Sequence, residues 1–283
     1  MSLEEKLRRQ PPHDLSGART IAHKAVQLIS QAARANLSAE PDDSQANLGW
    51  DAGEGRFLSR PVAADGGTFI FVVALSLAPL RLSLLRGSEL VASLSLDGHS
   101  VDDATNWLDA RLQAVGLNPA STVAIPYELP PEVIALDGFR PAEEANGLAA
   151  LAAWFDLAHG MLSTFAADKA KLTPGPVRCW PHHFDIATYV DLEAGDAESA
   201  KGIGVGLSPG DGAYDQPYFY INPWPHPDPD SLPVLLAPGH WHTEGFVGAI
   251  ATAEEVLSLD GIAARLPVFI SGAFALGREI LGA

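Results

Sequence analysis

Two short segments carry the side chains best suited to chemistry: Trp180-Pro181-His182-His183-Phe184-Asp185 and His240-Trp241-His242-Thr243-Glu244. In an extended strand alternate residues share a face, so the spacing predicts His183 and Asp185 on one side and His182 on the other. The same period places His240, His242 and Glu244 together, with Trp241 and Thr243 opposite. Imidazole and carboxylate in that combination suit zinc, iron, manganese or nickel. One reading is therefore a divalent metal such as zinc held by His183, Asp185, His240, His242 and Glu244, in a metal-dependent, hydrolase-like enzyme. Asp185 or Glu244 would be its catalytic carboxylate. The other reading makes the histidines members of a pocket or a packed polar core, each satisfied by a carboxylate. No histidine follows His242, so the set falls short of a cupin pattern.

Between the clusters lie Ser208-Pro209-Gly210-Asp211-Gly212, a tight-turn sequence, and Pro217-Tyr218-Phe219-Tyr220, whose tyrosines would share a strand face. A small-molecule pocket would draw on His182, His183, Asp185, Asp211, Tyr218, Tyr220 and Trp241. Residues 223–238 hold six prolines and read as a stiff loop able to cover a site. Three other motifs fail on their chemistry. Gly206-Leu207-Ser208-Pro209-Gly210 has the form of a nucleophile elbow, but Pro209 has no N–H for an oxyanion hole. Gly202, Gly204 and Gly206 lack the third glycine of a dinucleotide loop and read as a strand that permits close approach. Cys179 beside Trp180 reads as a small core residue.

The 283 residues are 47% hydrophobic and 19% charged, enough apolar material for a sizeable core. One cysteine excludes an intrachain disulfide framework. The formal charge is −17, a field that disfavours nucleic acid and anionic membrane. The excess is uneven: residues 179–283 hold 14 acids and three bases, Lys201, Arg265 and Arg278. The N-terminus has no apolar stretch of a signal peptide, and the apolar run at 69–85 is interrupted by Pro79 and Arg81. The expectation is a cytoplasmic protein without a membrane span.

The elements that must position these residues follow from pattern. Residues 1–14 read as a flexible arm. Ile21, Ala25, Leu28, Ile29 and Ala32 predict a helix over 15–37. Segments 68–77, 80–86 and 90–96 read as antiparallel strands, and Ser100 or Asp102 caps a helix to Val115, ended by Gly116. A Pro-rich segment, 117–142, comes next. A helix over 143–171, strands at 177–192, 201–207, 216–222 and 241–250, and a helix or helix pair over 253–282, broken or kinked at Pro267, complete the chain. The prediction is an α+β fold, antiparallel sheet with flanking helices. It forms one compact domain over 15–283, built as two similar helix–four strands–helix halves, 15–116 and 143–283.

The segments at 180–185, 207–211 (Leu-Ser-Pro-Gly-Asp), 217–220 (Pro-Tyr-Phe-Tyr) and 241–246 (Trp-His-Thr-Glu-Gly-Phe) resemble a bacterial family known as a domain of unknown function. The helices around 23–35 and 154–165 look similar too. That resemblance implies no activity, substrate or cofactor. Three functions remain open on the residues: a small-molecule-binding or structural protein, the metal-dependent enzyme, or a homo-oligomeric scaffold using aromatic surface near Trp224.

Overall fold

The computed structural model describes residues 2–195 and 200–283. It is an α+β protein with two antiparallel sheets and flanking helices. The chain divides into two compact units, residues 1–156 with 179–184, and residues 157–178 with 185–283. The division falls inside a helix, and the Pro-rich segment 117–142 belongs wholly to the first unit.

The first unit contains α1 (Leu3–Leu7), α2 (Ser16–Arg34), β1 (Gly49–Asp51), β2 (Arg56–Leu58), β3 (Val62–Ala64), β4 (Phe69–Ser76), β5 (Arg81–Arg86), β6 (Glu89–Ser95), α3 (Val101–Ala114), α4 (Pro131–Ala135) and the start of α5 (Ala145–Asp168). Its sheet runs β1-β2-β4-β5-β6, with β3 also on β4. Ile21, Ala25, Leu28, Ile29 and Ala32 of α2 are all buried, as their helical spacing requires. Ser100 caps α3 by accepting from the Asp103 N–H, and the Asp103 carboxylate returns a bond to the Ser100 N–H. The N-terminal residues read as an arm include a helical turn: α1 has its own capping box at Ser2, and Leu7 is buried.

The second unit contains the rest of α5, then β8 (Asp185–Glu193), β9 (Lys201–Ser208), β10 (Tyr218–Trp224), β11 (His240–His242), β12 (Gly248–Thr252), α6 (Ala253–Leu257) and α7 (Ile262–Leu281). The short strand β7 (Arg178–Trp180) crosses the boundary between units. The sheet order is β11-β12-β10-β9-β8-β7. Period two sorts its side chains. Phe219 and Ile221 of β10, Ile203, Val205 and Leu207 of β9, and Ala249 and Ala251 of β12 are buried on one face. There α7 comes close enough that a Cβ on Gly277 would stand 3.1 Å from Ile203 and 3.2 Å from Pro223. At about 1.5–3 kcal/mol per large apolar side chain, this face anchors the sheet. The opposite face carries the polar residues.

Three expected elements divide differently. The strand over 177–192 is two strands, β7 and β8, separated by a turn at 181–184. Pro181 cannot donate to a ladder, Phe184 adopts left-handed φ of 59°, and its N–H bonds the Trp180 carbonyl at 2.7 Å. The strand over 241–250 is β11 and β12, parted by a bend in which Gly245 has φ of 85°. The final helix breaks at 258–261, where Gly261 is left-handed, while α7 runs through Pro267.

Candidate functional site

The polar face of the second sheet gathers most of the residues singled out above. Across β9, β10 and β12, Tyr218 lies opposite Ser208 and Thr252, and Tyr220 opposite Gly206 and Ile250. On β11, His240 lies opposite Ile250 and His242 opposite Gly248, so both share this face, as their spacing predicts.

The glycines of β9 explain how tyrosine side chains lie so close to the sheet. A Cβ on Gly206 would sit 2.5 Å from Tyr220 Cζ, and one on Gly202 would sit 2.2 Å from the Tyr189 hydroxyl. Both rings therefore rest on bare backbone. Gly204, between them, has each ring 3.8 Å from the same notional position. The close approach expected of this Gly-rich strand is an approach by aromatic rings.

Two of these tyrosines donate to carboxylates. The Tyr220 hydroxyl donates to Asp185 Oδ2 in a short bond, and the Tyr218 hydroxyl donates to Asp211 Oδ2 at 2.5 Å. Asp211 is fixed by its own turn, since its Oδ1 accepts the N–H groups of Ala213 at 2.8 Å and Tyr214 at 3.2 Å. Burial, and next the Asp211 charge, hold the Tyr218 phenol far above its ordinary pKa. Tyr218 is thus a fixed donor, not a base.

A third tyrosine, Tyr214, joins the two histidines of β11. Its hydroxyl is 3.0 Å from His240 Nε2 and 3.0 Å from His242 Nδ1. The outer nitrogens have partners too. His240 Nδ1 is 3.0 Å from Glu255 Oε1, and His242 Nε2 is 2.6 Å from the Glu244 carbonyl oxygen. Glu255 is set by a capping box at the start of α6, accepting from the Thr252 N–H at 2.7 Å. Burial first, then the charges of Glu255, Asp211 and Glu244, raise the Tyr214 pKa.

His182 and His183 have other surroundings, in the first unit. The Pro181 carbonyl accepts from His23 Nε2 at 2.9 Å and from Gln27 Nε2 at 2.8 Å, so two residues of α2 clamp the turn. Tyr127 locks the clamp by donating to Gln27 Oε1 at 2.8 Å. Phe184 is fully buried among Phe57 and Phe155 and stacks on the His23 ring at 5.2 Å. His182 packs against Tyr127, and its ring is 4.1 Å from that of His183. Burial, and next the neighbouring His183, lower the His182 pKa to about 4. Burial likewise lowers His23 to about 4, against the opposing effect of its bond to the Pro181 carbonyl. Both rings are neutral at pH 7.

The structure therefore sorts the candidates. Asp185, Asp211, Tyr218, Tyr220, His240 and His242 stand on the polar face of one sheet or on the turn attached to it. His182 and His183 occupy a turn, not a strand, so His183 shares no strand face with Asp185. Glu244 follows β11 in the bend, and its backbone carbonyl rather than a strand-aligned carboxylate meets His242. Trp241 points away from its neighbouring histidines, and its indole donates to the Pro233 carbonyl at 2.7 Å, tethering the Pro-rich loop. Cys179 is buried. Among the described residues, no three His, Cys, Asp or Glu side chains gather as a metal-ligand set. Sequence reasoning missed Tyr214 and Glu255. The Thr252-x-x-Glu255 capping signature was the available signal for Glu255. Among the described residues α5 is the one helix long and apolar enough to cross a membrane, and 61% of its apolar window is buried within the protein.

No family model, no curated protein and no solved structure matches this chain.

Proposed function

We propose that the polar face of the second unit binds a small organic molecule carrying hydroxyl or amino donors on a flat or sugar-like ring. The observation that carries this reading is Tyr220, whose ring lies against Gly206 while its hydroxyl bonds Asp185. A ring held down on a glycine loses little further freedom when a ligand stacks on it, which favours binding by pre-organisation. Tyr189, packed the same way on Gly202, is 42% exposed and extends the platform. The carboxylates of Asp185 and Asp211 are acceptors beside these rings, so donor-rich ligands are favoured over anions. The acid excess of residues 179–283 acts in the same direction.

Ligand-observed NMR against saccharides, nucleosides, aromatic amines and carboxylic acids tests the reading. The expected result is saturation transfer to one of the first three classes, with affinity about tenfold weaker in Asp185→Asn, the loss of roughly 1.4 kcal/mol. Silence from every class at millimolar ligand would overturn it, and so would binding of equal strength in Asp185→Asn.

A further inference from the structure

The hydrogen count around Tyr214 does not close with neutral partners. A carbonyl and a carboxylate only accept, so the outer nitrogens facing them, His242 Nε2 and His240 Nδ1, carry the ring protons. In neutral imidazoles the inner nitrogens, His240 Nε2 and His242 Nδ1, then present lone pairs. Both lone pairs face one phenol oxygen at 3.0 Å. That hydroxyl has one hydrogen and can satisfy one of them. Three electron pairs on two nitrogens and one oxygen thus converge with a single proton among them.

We infer that His240 Nε2, His242 Nδ1 and Tyr214 Oη form a binding site for a divalent transition-metal ion of the zinc class. This goes beyond small-molecule binding and stands without it. The outer shell is the kind that metal histidines need. Glu255 fixes one ring and the Glu244 carbonyl the other, and each leaves the inner nitrogen bare and aimed inward. The two nitrogen–oxygen edges fit as well. Ligand atoms about 2.0–2.1 Å from a tetrahedral zinc stand about 3.3 Å from one another, so these two 3.0 Å separations need to open by only about 0.3 Å each. Glu255, Asp211 and Glu244 surround the phenol with negative charge, which attracts a cation. Tyrosine supplies the oxygen, since among the described residues no three His, Cys, Asp or Glu side chains gather as a ligand set. On binding, the phenol proton leaves to solvent and the phenolate oxygen becomes the third ligand.

The test is isothermal titration of Zn²⁺ into untagged, chelator-stripped protein, repeated in buffers of different ionisation enthalpy. The expected result is one ion per chain with net release of a proton. His240→Ala/His242→Ala should abolish binding, and Glu255→Gln should weaken it about 10–100-fold. Tyr214→Phe removes a single oxygen and leaves the packing, so it should weaken the affinity and abolish proton release. Cu²⁺ should give a visible phenolate charge-transfer band in the wild type that Tyr214→Phe lacks. No Zn²⁺ uptake at millimolar ion would overturn the assignment. Equal uptake in the double variant, or proton release retained in Tyr214→Phe, would overturn it too.

Discussion

Two pairs of adjacent or near-adjacent histidines meet opposite fates in this chain. His182 and His183 lie in a turn that α2 holds by its carbonyl, and the imidazole that does the holding, His23, is itself buried and neutral. His240 and His242 lie on a sheet face with both nitrogens of each ring engaged and their bare lone pairs turned toward one phenol. Residue type alone does not separate these cases. What separates them is their surroundings. His182 and His183 pack ring to ring, His182 also against Tyr127, on a turn clamped by His23 and Gln27, whereas His240 and His242 each have a carboxylate or carbonyl outside and the Tyr214 phenol inside. The first cluster lies on a turn held in place, and the second is the one proposed as a site.

The sharpest way to break this contrast is to remove one imidazole from each side. His23→Ala takes away a donor to the Pro181 carbonyl and the ring stacked on Phe184, leaving a hole under a fully buried phenylalanine. The expected loss is about 3 kcal/mol in urea unfolding. His242→Ala empties a half-exposed position and should change stability by no more than about 1 kcal/mol. If the two losses proved equal, the division into architecture and site would fail.

Acid offers the next probe. His23 and His182 titrate near 6.5 in the unfolded chain but near 4 when folded, because burial disfavours their charged forms. Between these values the unfolded state binds more protons. Their contribution is full above about pH 6.5 and is lost as pH falls toward 4. For a ring as buried as His23 the loss approaches about 3 kcal/mol, and it is smaller for the more exposed His182. A stability profile by urea unfolding should show this acid limb, and His23→Gln should flatten it. An unchanged limb in His23→Gln would show that the turn clamp is not where the protons go.

Much of the fold was legible because its periods are local. The helical spacing in α2, the capping residues of α3 and the shared face of Tyr218 and Tyr220 in β10 each follow from a few neighbouring residues, whereas β5, read as alternating, buries Leu82, Ser83, Leu84 and Leu85 in succession. His240 and His242 were legible for the same reason. Tyr214 was not, because it sits in the connection between β9 and β10, and its meeting with β11 depends on sheet order rather than spacing. The turn at 181–184 was misread as extended because the left-handed backbone of Phe184 is imposed by tertiary packing, against its own preference.

Beneath the second cluster the polar face rests on glycine, and two positions in β9 sharpen how much that matters. At Gly206 an added Cβ would stand 2.5 Å from Tyr220 Cζ and 2.8 Å from the Ile186 carbonyl oxygen. The ring could swing away, but the carbonyl belongs to the neighbouring strand and cannot. Gly206→Ala should therefore cost about 1–3 kcal/mol and lift Tyr220 from Asp185. At Gly204, two residues along the same strand, the nearest atoms are 3.8 Å away, ordinary contact, and neither Gly204 nor Gly206 has a left-handed φ. Gly204→Ala should stay within about 0.5 kcal/mol of the wild type. Melting curves of the two variants, with near-ultraviolet circular dichroism to follow the tyrosines, check the pair. Equal tolerance at both would mean that the rings do not depend on bare backbone, and the pre-organised platform would lose its physical basis.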